Sequence, residues 1–128
     1  MSGTLRDRQF LTLAPEPAAV RTARRFVAAQ CQGHGIGSEA TDVAVLLTSE
    51  LVTNAVTHGR SDARLAVTVT PRAVLVEVGD DNSRHPRLQN PDRDALDGRG
   101  LRILDGLATR WGVREETLGK VVWFEVAT

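Results

Sequence analysis

A single cysteine, Cys31, rules out an internal disulfide and fits a chain that works in a reducing compartment. Lysine is nearly missing too. Of the 16 basic residues only Lys120 is not arginine, a bias that, with the abundant alanine, points to a GC-rich coding genome and says little about function. Net charge is absent: 16 basic and 16 acidic side chains cancel, and with a pI near 6.8 no overall basic field marks a nucleic-acid partner. No apolar run approaches membrane-spanning length, and the polar start Met1-Ser2-Gly3-Thr4-Leu5-Arg6-Asp7 has no secretory character. The expectation is a cytoplasmic protein with no membrane contact and no direct nucleic-acid contact. Internal repeats and composition shifts are lacking as well, so residues 1–128 read as one domain, with an apolar content of 41% that suffices for a real core.

What the chain does have is centred on Ser49-Glu50-Leu51-Val52-Thr53-Asn54-Ala55-Val56-Thr57-His58-Gly59, inside a run from Asp42 to His58 that reads as an amphipathic helix. With Glu50 at zero and roughly 100° per residue, Asn54 falls near 40° and His58 near 80°, while Val43, Leu47 and Leu51 fall near 20°, 60° and 100°. The polar trio therefore lies within the apolar stripe. Burying an ionised carboxylate without partners is costly. Either this end of the helix lines a polar cavity, or the stripe slides out to solvent over its last two turns.

Around this run the elements follow in order. Gln9 to Leu13 alternates as a short strand closed by Pro15 and Pro17. Ala18 to Gln30 is helical, with Val20, Ala23, Val27 and Cys31 on one face and Arg21, Arg24 and Arg25 largely off it. Cys31 there reads as a core residue. The glycine-rich turn from Gln32 to Gly37 ends this helix, with Ser38 as cap for the next. Ala63–Thr70 and Ala73–Val78 alternate as strands and are split only by Pro71-Arg72, which makes them an antiparallel hairpin. Gly79-Asp80-Asp81-Asn82-Ser83 ends the second strand in acid and amide groups. The polar, aperiodic segment from Arg84 to Asp97 reads either as a lid over a ligand or as a plain surface loop. Gly98-Arg99-Gly100 opens a helix through Ala108, and glycines at a helix start let a ligand approach backbone N–H groups that have no partner in the helix. Trp111–Arg114 and Val121–Val126 close the chain as strands. Helices and strands segregate instead of alternating, which predicts an α+β two-layer sandwich: a mixed, mainly antiparallel sheet with three helices on one face.

Taken together, the boxes resemble the GHKL superfamily of ATP-binding domains, named for gyrase, heat-shock chaperone, histidine kinase and mismatch-repair protein. Glu50-x-x-x-Asn54-x-x-x-His58 looks like its N box, Val78-Gly79-Asp80-Asp81-Asn82 like its first glycine box, and Gly98-Arg99-Gly100-Leu101 like its second. The resemblance runs from about Phe10 to Val126. It is closest to the compact branch related to bacterial anti-sigma factor serine/threonine kinases, in which the helix reads Ser-Glu-Leu-Val-Thr-Asn-Ala and the chain closes on a Trp-Phe-Glu-like strand.

The resemblance implies a Bergerat-type ATP-binding sandwich with ATP and Mg²⁺ as cofactors. Asn54 would give its side-chain oxygen to the metal, and Glu50 would act as general base on a substrate hydroxyl or a water. Asp80 would accept from the adenine amino group, and Asn82 would line the same box. Gly98, Gly100 and the helix opening at Leu101 would hold phosphate. His58 would touch phosphate or cap its helix, the second being favoured. The implied partners are a sigma factor, an anti-anti-sigma antagonist protein, or both, with room for a homodimer. The sequence also departs from the pattern. Asn82 and Arg84 stand where the first box usually has glycines, and Arg102 where the second has another. Lys120-Val121-Val122 stands where relatives often have Gly-Thr, which removes a hydroxyl beside Asp80. Two functions follow from this: an ATP-dependent protein kinase that phosphorylates a small antagonist, or an ATP-binding or vestigial module that sequesters a protein partner without catalysis.

Overall fold

Five strands form one sheet. They are β1 (Asp7–Leu13), β2 (Ala63–Val69), β3 (Ala73–Asp80), β4 (Arg110–Glu116) and β5 (Gly119–Ala127), and the helices are α1 (Ala18–Gly33), α2 (Ser38–His58) and α3 (Gly98–Leu107). The computed structural model describes residues 7–58, 61–80, 98–117 and 119–128. The strand order is β1-β2-β3-β5-β4, and every neighbouring pair is antiparallel. The expected hairpin is β2–β3. Its turn is held by Thr70, whose Oγ1 accepts from the Arg72 and Ala73 amides at 3.2 and 3.1 Å.

Strand alternation sorts the side chains by face. One face carries Leu65, Val67, Val69, Val74, Val76, Val78, Val122, Phe124 and Val126, all buried against the helices. Into it α1 presents Ala19, Ala23, Val27 and Cys31 at four-residue spacing, with Ala19 where the sequence suggested Val20, which is half-buried, and Arg21, Arg24 and Arg25 exposed as expected. From α3 the buried contribution is Leu104. The other face is free of helices among the described residues. Its central row runs Phe10, Ala66, Glu77, Trp123, Gly112 across the five strands. The Trp123 indole lies so close over Gly112 that a Cβ there would come within 2.9 Å of the ring. Arg8 and Arg114 both reach Glu77, at 3.0 and 3.1 Å, and border a shallow cavity of about 260 Å³.

Helix α2 begins at Ser38, the residue read from sequence as its cap, but its buried stripe differs from the expectation. Its fully buried residues are Thr41, Ala44, Leu47, Thr48, Leu51 and Val52. On the same wheel these span from about 60° to about 200°, so Glu50 and Asn54 flank the buried stripe and are half-buried. Thr48 and Val52 shift the centre of the face. Neither Thr48 nor Val52 belongs to the stripe of Val43, Leu47 and Leu51 drawn from sequence, and both are fully buried.

Candidate functional site

Chain connectivity brings the three boxes to one end of the sheet. Strand β3 ends at Asp80, whose pairing partner on β2 is Ala63, and only residues 59–62 separate Ala63 from the end of α2. Four residues span little more than about 14 Å even when extended, so the last turns of α2 lie near the Asp80 end. Helix α2 also packs on β3, β5 and α3. Only Ala108 and Thr109 join α3 to β4. The Trp111 indole N–H ties the two by donating to Asp105 Oδ1 at 2.7 Å, so α3 runs back along β4. Its first turn therefore points towards the end where β4 finishes, β5 begins and Asp80 stands.

On α2, Glu50 and Asn54 sit one turn apart on the same edge, spacing that makes neighbours of their side chains. A half-buried edge leaves a carboxylate and an amide accessible from one side while the adjoining Leu47, Leu51 and Val52 fix the helix. At the start of α3, Gly100 is buried and Arg102 exposed. The first turn contains no acidic residue and two arginines, Arg99 and Arg102. This is the reverse of what a helix N-terminus favours by itself and suits an anion there. Asn82 and the 84–97 segment lie outside the described residues, as do the side chains of His58, Arg99 and Leu101. Among the described residues no three His, Cys, Asp or Glu side chains form a metal cage. A Mg²⁺ held by one or two protein oxygens needs no such cage.

The strand-end acid has a neighbour that sequence reading missed. Lys120 Nζ stands 3.7 Å from Asp80 Oδ2, and the two side chains are only 17% and 13% exposed. Because Gly79 pairs with Val121, the next cross-strand pair is Asp80 with Lys120, both aimed at the helix-covered face. Gly119 makes this closeness feasible. Its φ is +157°, and a Cβ there would overlap the Asp80 carbonyl oxygen. In the sequence, position 120 registers only as the loss of a hydroxyl. The register of β5 on β3, which no local motif specifies, turns that loss into a partly buried ion pair.

Residues 13–126 match the family model of the histidine kinase-like ATPase domain. The chain belongs to this family. Over 94% of its length it superposes on the crystal structure of the RsbU and RsbW domains of Rv1364c from Mycobacterium tuberculosis, with a TM-score of 0.72 and 19% identity. The chain spans about a third (32%) of that protein's length, and the likeness establishes the shared fold. No curated protein matches the chain. The family fits the order of elements along the chain: a helix edge with Glu50 and Asn54, a strand-end Asp80, and a glycine-opened helix. No described helix is long and apolar enough to cross a membrane.

Proposed function

We propose that this histidine kinase-like ATPase domain binds ATP with Mg²⁺ and phosphorylates a serine or threonine of a small antagonist protein in a sigma-factor regulatory pathway. The observation that carries the reading is the pairing of Glu50 with Asn54 on the half-buried edge of α2, at the sheet end that also presents Asp80. A helix edge with only a packing role would be better served by leucine at these positions.

The residues present suit the nucleotide. Bound there, ATP supplies a transferable γ-phosphoryl group. Asp80 offers carboxylate oxygens, which only accept hydrogen bonds, to the exocyclic amino group of adenine. Asn54 offers its amide oxygen to Mg²⁺, a hard cation that keeps most of its waters. Gly98 and Gly100, with the N–H groups of the first turn of α3, receive phosphate oxygens, and Arg99 and Arg102 add positive charge to that end. Glu50 holds the position of general base, taking the proton of the attacking hydroxyl. His58 is assigned to capping α2.

The second reading, a module that sequesters its partner without catalysis, is favoured by Asn82, Arg84 and Arg102 in place of glycines. Calorimetry with ATP, with and without Mg²⁺, tests the nucleotide part. Asp80→Asn should cost roughly 1.5–3 kcal/mol of ATP affinity, the worth of a hydrogen bond to a charged group. GTP should bind much more weakly than ATP, and the Mg²⁺ dependence should vanish in Asn54→Ala. Equal affinity for ATP and GTP contradicts the role of Asp80.

A further inference from the structure

We infer that Lys120 is a second base-reading residue beside Asp80, donating a hydrogen bond to N1 of a 6-aminopurine whose amino group Asp80 accepts. The inference rests on the nucleotide reading above and deepens it. Adenine presents, side by side on its Watson–Crick edge, a donor at the 6-amino group and an acceptor at N1. Reading such an edge takes an acceptor and a donor standing next to each other. Asp80 is acceptor only and the Lys120 ammonium is donor only, and they stand 3.7 Å apart on the same face of the sheet.

That separation is informative. It exceeds hydrogen-bond distance, so the two groups attract each other without fixing the ammonium's N–H bonds on the carboxylate. Among the described residues, the ammonium keeps donors to offer a third group. Both side chains are largely withdrawn from water, which strengthens a hydrogen bond made there. The residue type matters as well. Fifteen of the sixteen basic residues are arginine, and the single lysine falls at this position, where its compact ammonium offers rotatable donors instead of a rigid planar fork. Gly119, held where a Cβ would overlap Asp80, draws the start of β5 tight against the end of β3 and sets the separation. Guanine in the same orientation would turn its N1–H towards the ammonium, donor against donor, so Lys120 adds to the discrimination that Asp80 begins.

The test is calorimetry with ATP and with 1-deaza-ATP, in which N1 is replaced by C–H, on the parent protein and on Lys120→Met. The parent should bind 1-deaza-ATP about 10- to 100-fold more weakly than ATP. Lys120→Met should bind ATP with a comparable loss and no longer distinguish the two nucleotides. Equal binding of both nucleotides by the parent overturns the role of Lys120 while leaving the nucleotide reading in place, and this arm needs no variant to fold. Tighter ATP binding by Lys120→Met overturns it too, since Lys120 would then compete for Asp80. A folded parent that binds neither nucleotide removes the nucleotide reading and the inference with it.

Discussion

Thr48 on α2 is a polar side chain inside the core. Its Oγ1 is fully buried and has no hydrogen-bond partner among the described residues, a group whose desolvation costs about 1–3 kcal/mol. Thr48→Val removes the hydroxyl and keeps the branched shape, so the variant should be more stable by about 1 kcal/mol, read from the urea midpoint at unchanged m value. Cys31 yields a second prediction. Burial pushes its thiol pKa up, and a hydrogen bond with Thr41 pulls the other way more weakly. The native state thus holds this proton more tightly than the unfolded chain does. The stabilisation is complete below the ordinary thiol value of about 8.5 and is lost as pH rises through the native value. With no tyrosine and a single lysine in the chain, little else titrates there. Stability should fall as pH rises above about 8.5, by at most about 1.4 kcal/mol per pH unit. The fall should be shallower in Cys31→Ala, and an aromatic disulfide reagent should label Cys31 only on unfolding.

At the scale of elements, what was legible in the sequence was what local chemistry dictates. The β2–β3 hairpin follows from alternation interrupted by Pro71-Arg72, and α1 from the spacing of Ala23, Val27 and Cys31. The glycine-opened α3 was equally plain. What was not legible depended on pairing across the sheet. The start of β5 carries no motif of its own, so neither the Lys120–Asp80 pair nor the reason for Gly119 is visible until β5 is laid on β3. Likewise the edge of α2 could not be drawn without knowing that Thr48 and Val52 face the strands. Gly119 gives the element-scale prediction. Alanine there must either overlap the Asp80 carbonyl or push β5 away from β3. Gly119→Ala should therefore cost at least about 1–3 kcal/mol, the usual worth of a backbone forced into a sparsely populated region. It should also weaken nucleotide binding, since the Asp80–Lys120 spacing is lost with it. By contrast, alanine at Gly106, which has open space around it, should leave binding unchanged and thus control for nonspecific effects.

The whole molecule divides its two faces between tasks. The helix-covered side brings the Glu50–Asn54 edge, Asp80 and the first turn of α3 to one end, while on the opposite side, helix-free among the described residues, Phe10 is 67% exposed and Arg8 stacks 5.0 Å from its ring. A domain so built could act through chemistry at one end or through partner binding alone, and Glu50 separates the two. Glutamine is nearly isosteric with glutamate and still offers an oxygen acceptor, but it cannot take a proton at neutral pH. If Glu50 is the base, Glu50→Gln should keep the fold and most of the nucleotide affinity. Phosphoryl transfer should then fall by about 10²–10⁴-fold, the usual worth of positioned acid–base catalysis. The measurement is label transfer from γ-labelled ATP to a candidate antagonist protein, parent against variant, with antagonist binding followed in parallel. Transfer lost while binding holds assigns Glu50 to chemistry. Transfer at an unchanged rate leaves it without that role. No transfer by the parent, together with equal antagonist binding by both proteins, supports the sequestering module, in which the Glu50–Asn54 edge serves to hold the nucleotide alone.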